Sequence, residues 1–380
     1  MSPVRLAIGI PSWCERDAIG RLTRLVDSAL VRSGWADRTV IINADNHSPD
    51  GTREAFLATP TTAAKESYAT GEGTRGKGYN FRELFLRSLE HGASMLITID
   101  AELEHVGEDW ITGFTGAIRD GHDLAGPVYS RHWYDANMTN QIVAPVFAAC
   151  TGIPFRQPIG GEFAFSDKAM RYLLDIEWPA AALGFGVDIF CVAELLSASF
   201  PYTQQPLGGG KIHSWRSDSS EDVEEEMDHK FNAITGVLLD QVTRKTWPSR
   251  ESVTAFPNSP PIFRYPKPYA HTHLETLAKV ECARYEDLPA RHRLLDANSL
   301  HRLGADHALW GRALGTLLDR ARREGPFDPG LLGALRRLFY IRLGLLMPRL
   351  MSENPDEMVL AIARAIQAHI LGGGEREPRA

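Results

Sequence analysis

The sequence predicts an α/β protein built on a mostly parallel sheet flanked by helices, with a helical C-terminal region. Three features carry this expectation. Apolar runs alternate with amphipathic stretches through the first hundred residues, the pattern of strands joined by crossover helices. The runs are nearly continuous rather than alternating, as expected of strands covered on both faces. Beyond a proline-rich stretch at 247–273, every remaining segment reads at helical spacing.

Taken in order, RLAIGIP is the first strand, and AIGRLTRLVDSALVRSG is a helix closed by Gly34. RTVIINAD is the second strand. SPDGTREAFLAT opens a helix for which Ser48 or Asp50 is the expected cap, because a short polar side chain can accept from the first free N–H groups. AKESYAT is too polar for a buried strand. KGYNFRELFLRSLEHG is a helix stopped by glycine, and SMLITID is a strand that ends in Asp100 and Glu102. From about 123 to 216 the elements become shorter and mixed, with glycine-rich turns, and EDVEEEMDHKFNAITGVLLDQVTRK is one long helix. The expected organisation is a catalytic domain over 1–246, a linker or wrapping segment over 247–273, and a helical region over 274–380.

The 380 residues are enough for a large core. A net charge of −7 with no basic face argues against a nucleic-acid partner. The most basic stretch, LLGALRRLFYIRLGLLMPRL, reads as an amphipathic packing helix. No window is long and apolar enough for a transmembrane segment, and the N-terminus lacks the pattern of a signal peptide. Four widely spaced cysteines read as reduced thiols of a cytoplasmic protein.

In a parallel sheet the ligand lies at the carboxyl ends of the strands, and here those ends are polar: Pro11–Ser12, Asp45–Asn46 and Asp100–Glu102. Asp100 and Glu102 stand two residues apart on a strand, so their side chains share a face and repel each other unless a cation lies between them. GEGTRGKGYN (71–80) nearly matches two phosphate-binding patterns and fits neither. It follows no buried strand, and Gly78 stands where a P-loop needs Ser or Thr. What remains is a glycine loop entering a helix with Lys77 at its lip, suited to a phosphate or equally to a plain helix entry. QPIGGEFAFS and GFGVDIF each set one carboxylate, Glu162 and Asp188, beside glycines. GGGKIHSWR sets His213 behind three of them.

The order of these motifs resembles that of the GT-A nucleotide-sugar glycosyltransferases. IPSWCERDAI is similar to their first-strand region, NADNHSPDGT to their second-strand motif, TRGKGYNFRELF to their G-K-G loop, and IDAELEHV falls where their D-x-D metal motif belongs. RHWYDANMT, QPIGGEFAFS, GFGVDIF and GGKIH then follow as in the mannosylglycerate synthase and glucosyl-3-phosphoglycerate synthase group, over roughly 5–240. The resemblance implies that Pro11, Ser12, Glu15, Asn46, Lys77 and Asp100 bind the nucleotide sugar. It implies Arg131 and Thr139 for the acceptor's carboxylate, Asp188 and Glu162 for catalysis, and Glu102 with His213 for Mg or Mn. Two departures stand out: Glu102 replaces the usual second aspartate, and Cys14 and Arg16 replace the commoner residues after the first strand.

The implied reaction is metal-dependent, retaining transfer of glucose or mannose from UDP-glucose or GDP-mannose to a small hydroxy acid such as glycerate or 3-phosphoglycerate, in an enzyme that could be a homodimer. Two other enzyme readings stay open. One is an inverting transferase acting on a saccharide or lipid. The other is a sugar nucleotidyltransferase, which would want its G-T-R loop directly after the first strand rather than at 73–75.

Overall fold

The computed structural model describes residues 5–131, 135–212, 220–247, 252–259 and 271–372; within these, side chains at 220–227, 271–273, 351 and 372 are left aside. In chain order the elements are β1 (Leu6–Ser12), α1 (Arg16–Arg32), β2 (Thr39–Asp45), α2 (Thr52–Ala58), β3 (Ala64–Ala69), α3 (Lys77–Glu90), β4 (Met95–Thr98), α4 (Glu108–Arg119) and β5 (Leu124–Tyr129). There follow a π-helical turn (Thr139–Val143), α5 (Ala144–Thr151), β6 (Ala164–Ser166), α6 (Asp167–Asp175), α7 (Ala180–Leu183), α8 (Val187–Ser197) and β7 (Tyr202–Leu207). The remaining described elements are helices: α9 (Ser220–Arg244), α10 (His271–Glu286), α11 (His307–Glu324), α12 (Pro329–Leu346) and α13 (Pro355–Gly372).

The chain forms two compact units, one of Met1–Arg131, Gln157–Val223 and Ser259–Phe263, the other of His132–Arg156, Glu224–Asn258 and Arg264–Ala380. This division cuts across the single boundary expected from the proline-rich stretch. α5, α9 from residue 228 on and residues 252–258 group with the C-terminal helices, and their apolar side chains are buried. Ala144 and Ala148 of α5 share a core cluster with Val253, Phe256 and Val359.

The first unit holds a seven-stranded sheet in the order β3-β2-β1-β4-β6-β5-β7. β1 pairs in parallel with β2 and β4, β2 with β3, and β5 with β7, whereas β6 runs antiparallel to both β4 and β5. β1, β2, β4 and β5 are buried along their whole length, which is why their sequences carry no polar alternation. α1 covers one face with Ile19, Leu22, Val26, Ala29 and Leu30, a stripe at helical spacing. AKESYAT does form a strand, the exposed edge β3, consistent with its polar composition. The expected cap of α2 is corrected. Gly51 occupies the N-cap position, Asp50 Oδ1 accepts from the Thr52 amide at 3.1 Å, and Ser48 is drawn away to Asp45.

In the second unit, α11 and α12 begin on Asp306 and Asp328, whose carboxylates accept from the amides of Leu309 and Leu331. α12 buries Leu335, Leu338, Ile341 and Arg342, so the basic stretch is a packing helix as expected. No helix among the described residues is long and apolar enough to cross a membrane.

Candidate functional site

The carboxyl ends of β1, β2 and β4 open on one rim of the sheet. At its β1–β2 side, Asp45 accepts from the hydroxyls of Ser12 (2.8 Å) and Ser48 (2.6 Å) and from the Ser48 amide (2.7 Å). Asn43 donates to Ser12 Oγ at 2.8 Å. Asn46 donates its amide to Ser12 O at 3.1 Å and accepts from Thr70 Oγ1 at 3.2 Å. Glu15 is buried, its amide donating to Thr52 Oγ1 at 2.8 Å, and Pro11 is buried within β1. Pro11, Ser12, Glu15 and Asn46 thus gather at two neighbouring strand tips. Asp45, which is not among the expected site residues, ties Ser12 to Ser48 at this tip.

The β4 side is a ladder of alternating charge. Lys77 Nζ lies 2.9 Å from Asp100 Oδ1 and 3.2 Å from Asp188 Oδ2. Lys211 Nζ lies 2.8 Å from Asp100 Oδ2, 3.0 and 2.9 Å from the two oxygens of Glu162, and 2.6 Å from Gly160 O. The Tyr129 hydroxyl lies 2.9 Å from Glu162 Oε2 and 2.7 Å from Gly160 O, and the Arg131 guanidinium sits 5.6 Å over its ring.

Local sequence explains how these groups meet. A Cβ at Gly78 would stand 2.1 Å from Ala182 O. Only a glycine there lets the first turn of α3 lie against residues 182–184, and this sets Lys77 between Asp100 and Asp188. Gly161 has φ +86°, and a Cβ on it would approach Asp100 Oδ2 to 2.3 Å, so the backbone before β6 closes directly onto that carboxylate. Lys211 is held at its own backbone, its amide donating to Ser130 O at 3.0 Å beyond the end of β5.

Burial and neighbouring charge pull the titrations apart. The two lysines hold Asp100 well below the usual carboxylate range, although burial opposes them. Glu162 has no exposed surface, and burial, reinforced by the Asp100 charge, pushes it up to about 7 against the pull of Lys211. Burial likewise raises Asp188 despite Lys77. Lys77 and Lys211 are both raised, the attraction of their carboxylates exceeding the cost of burial. Asp188 Oδ1 is buried and accepts no hydrogen bond, a vacant acceptor beside a lysine.

Of the expected site residues, Lys77, Asp100, Glu162 and Asp188 converge in this ladder. Glu102 is half-buried two residues beyond Asp100. His213, its expected partner on a metal, lies outside the described residues, although the Glu104 amide donates at 2.9 Å to the carbonyl of Ile212, the residue before it. Among the described residues no group of three or more His, Cys, Asp or Glu is placed to hold a metal ion. Arg131 ends a segment of the first unit, and Thr139 is buried in the π-helical turn of the second. Sequence reasoning missed Lys211 and Tyr129. The signal that could have found Lys211 is its place two residues before His213 in a glycine-rich strand exit, where a buried cation faces the carboxylates of β4.

No protein family and no protein of curated function matches the chain by sequence. Solved structures do match. Glucosyl-3-phosphoglycerate synthase from Mycobacterium tuberculosis in complex with phosphoglyceric acid is 20% identical with a TM-score of 0.50, over 63% of this chain and 80% of that one. A mycobacterial protein matches at 18% identity and a TM-score of 0.50, over 63% and 75% of the two chains. The same synthase with Mn²⁺, uridine diphosphate and phosphoglyceric acid matches at 18% and 0.48, over 63% and 78%. At this level the likeness is one of fold, and the sheet with its covering helices is that of the GT-A glycosyltransferases.

Proposed function

We propose that the protein is a metal-dependent, retaining GT-A glycosyltransferase that moves a hexose from a nucleoside diphosphate, UDP-glucose or GDP-mannose, to a small hydroxy acid such as glycerate or 3-phosphoglycerate. The observation that carries the reading is the meeting of Lys77, Asp100 and Asp188 at the strand-tip rim, with one buried oxygen of Asp188 left vacant. A diphosphate leaving group needs a cation where its charge grows, and Lys77 stands at a helix N-terminus, where amide dipoles favour an anion as well. The vacant Asp188 oxygen suits a sugar hydroxyl, or the positive charge that develops on the sugar ring as the bond to phosphate breaks. The Ser12, Asp45 and Asn46 tips beside them suit base and ribose.

The donor set fits a hard divalent ion, because carboxylate and imidazole are ligands for Mg or Mn. Glu102 and His213 would hold it, and when bound it would neutralise the leaving diphosphate. Glu162 is wholly buried and committed to Lys211 and Tyr129, so its part in the reaction is to position Lys211 rather than to touch the sugar. Arg131 is the proposed grip on the acceptor's carboxylate, for which an arginine's two parallel donors are suited.

The test is binding by Lys77→Ala. Its affinity for the nucleoside diphosphate should fall by more than about tenfold, the worth of one charge-assisted contact, while nucleoside affinity holds. Isothermal titration with both ligands measures the ratio, and an unchanged ratio would return the loop to a plain helix entry.

A further inference from the structure

Lys211 occupies an oxygen cage. Four oxygens surround its ammonium at 2.6 to 3.0 Å: Gly160 O, Asp100 Oδ2 and both oxygens of Glu162. Three N–H groups face four acceptors, so Glu162 is held by a shared pair of contacts. The side chain is 4% exposed. The other oxygen of Asp100 belongs to Lys77, and the backbone at Gly161 leaves Asp100 no room to swing toward β6. Distances of this size suit an ammonium or a large monovalent cation. A magnesium ion demands about 2.0–2.1 Å and would need the cage to collapse.

We propose that Lys211 is the resident cation of the strand-tip site, and that by filling this cage it withdraws Asp100 from the divalent metal. The inference rests on the glycosyltransferase reading only for the metal; the cage itself stands on the distances. The acidic pair at the end of β4 then divides its labour. Asp100 is a fixed, fully charged acceptor in the protein's own ion network, and the metal's acidic ligand is Glu102. Glu162 closes the far side of the cage and positions Lys211. A site built this way keeps Asp100 charged and its neighbours in place before any metal or donor arrives.

Two measurements on the full chain test it. The first is Mn²⁺ binding, followed by the electron paramagnetic resonance signal of the free ion with UDP present. Asp100→Asn should change Mn²⁺ affinity less than about threefold, whereas Glu102→Gln should lower it more than about tenfold, the size of effect seen for ligand-shell changes. An Asp100→Asn loss as large as that of Glu102→Gln overturns the proposal, because Asp100 would then be a ligand. The second is chemical rescue. Lys211→Ala removes three carbons and the ammonium, which propylammonium can replace. The variant should melt lower than the native chain and recover with propylammonium in proportion to the logarithm of its concentration. Propanol of the same shape should have no effect. Equal rescue by propanol would show that the cage needs volume rather than charge, and overturns the proposal. If Lys211→Ala does not fold, the Asp100→Asn titration decides alone. Failure of the wild-type protein to bind Mn²⁺ would count against the metal-dependent reaction, and the rescue would still decide the role of Lys211.

Discussion

Lys211 in the first unit and Arg342 in the second are both buried almost completely, and the two are treated in opposite ways. In the first, Lys211 is surrounded by carboxylates and its pKa rises. In the second, Arg342 of α12 has no exposed surface and is met by neutral acceptors. It donates to Gln141 Oε1 at 2.7 Å, to the Leu303 carbonyl and to His307 Nδ1 at 3.0 Å, and it lies 5.4 Å over the Trp310 ring. Burial pushes its pKa down to about 9, with Glu353 and Asp306 only partly offsetting this. Dipoles can satisfy a buried guanidinium's hydrogen bonds without neutralising its charge. The difference teaches where chemistry is placed. Arg342 ties α12 to the π-helical turn and to α11, a fixed polar joint. Lys211 belongs to a set of charges that any anion or cation entering the rim must disturb.

Truncating each cation separates the two cases most strongly. Lys211→Met leaves Asp100 and the wholly buried Glu162 without their shared partner, and breaking a buried ion pair costs about 3–5 kcal/mol. Arg342→Met leaves neutral acceptors unmade, for about 1–3 kcal/mol. Urea midpoints of both variants measure the gap, and an Arg342→Met loss equal to that of Lys211→Met would erase the distinction.

A pH scan sharpens it. Glu162 titrates near 7 in the folded chain against an ordinary 4.5, so folding favours its protonated form. Its contribution is fully present below about 4.5 and is lost as pH rises through about 7. Asp100 has the opposite sign: its contribution is present above its ordinary 3.8 and disappears only as pH falls well below that. Between the two ordinary values and neutrality, Glu162 therefore sets the slope. Glu162→Gln should flatten the fall in melting temperature from pH 5 to 7.5, and an unaltered slope would assign it to another group.

The smallest effect is expected at His307. A guanidinium only donates, so Nδ1 of His307 must accept from Arg342, and Nε2 carries the hydrogen that faces Glu353 at 3.2 Å. Burial, and then the Arg342 charge, lower its pKa below 6.5. Stability from this neutral form is present above 6.5 and is lost as pH falls through the lowered value, the reverse of Glu162 over the same range. His307→Asn keeps an acceptor toward Arg342 and removes the titration. It should make the helical unit less sensitive to acid, as read by hydrogen exchange of α11 and α12 between pH 7.5 and 5. Unchanged acid sensitivity would place the titrating group elsewhere.

The strands of the first unit were legible in the sequence because full burial leaves a continuous apolar run, as in LAIGIP and TVIINAD. β6 was hidden because three residues carry no periodicity. Lys77, Asp100, Glu162 and Asp188 could be named because each sits in a short motif with glycines beside it. Lys211 could not, since its partners lie 49 to 111 positions away and only the closed sheet brings them to one point. In the sequence Asp45 is only part of a strand tip, and its role as acceptor for two hydroxyls depends on the loop that carries Ser48 folding back. The buried Arg342 looked like any basic residue of an amphipathic helix.

Among the described strands, β6 alone runs against both of its neighbours. A parallel strand arrives at the rim with its end, whereas β6 arrives with its beginning, so Gly160, Gly161 and Glu162 stand among the tips that the other strands reach last. Tolerance to change of length is therefore reversed along this strand. Residues added or removed after the other strands would reshape the loops of the rim. The same change just before β6 would slide Glu162 and the Gly160 carbonyl out of the cage around Lys211, and the same change after β6 would fall on the side away from the chemistry, at the start of α6.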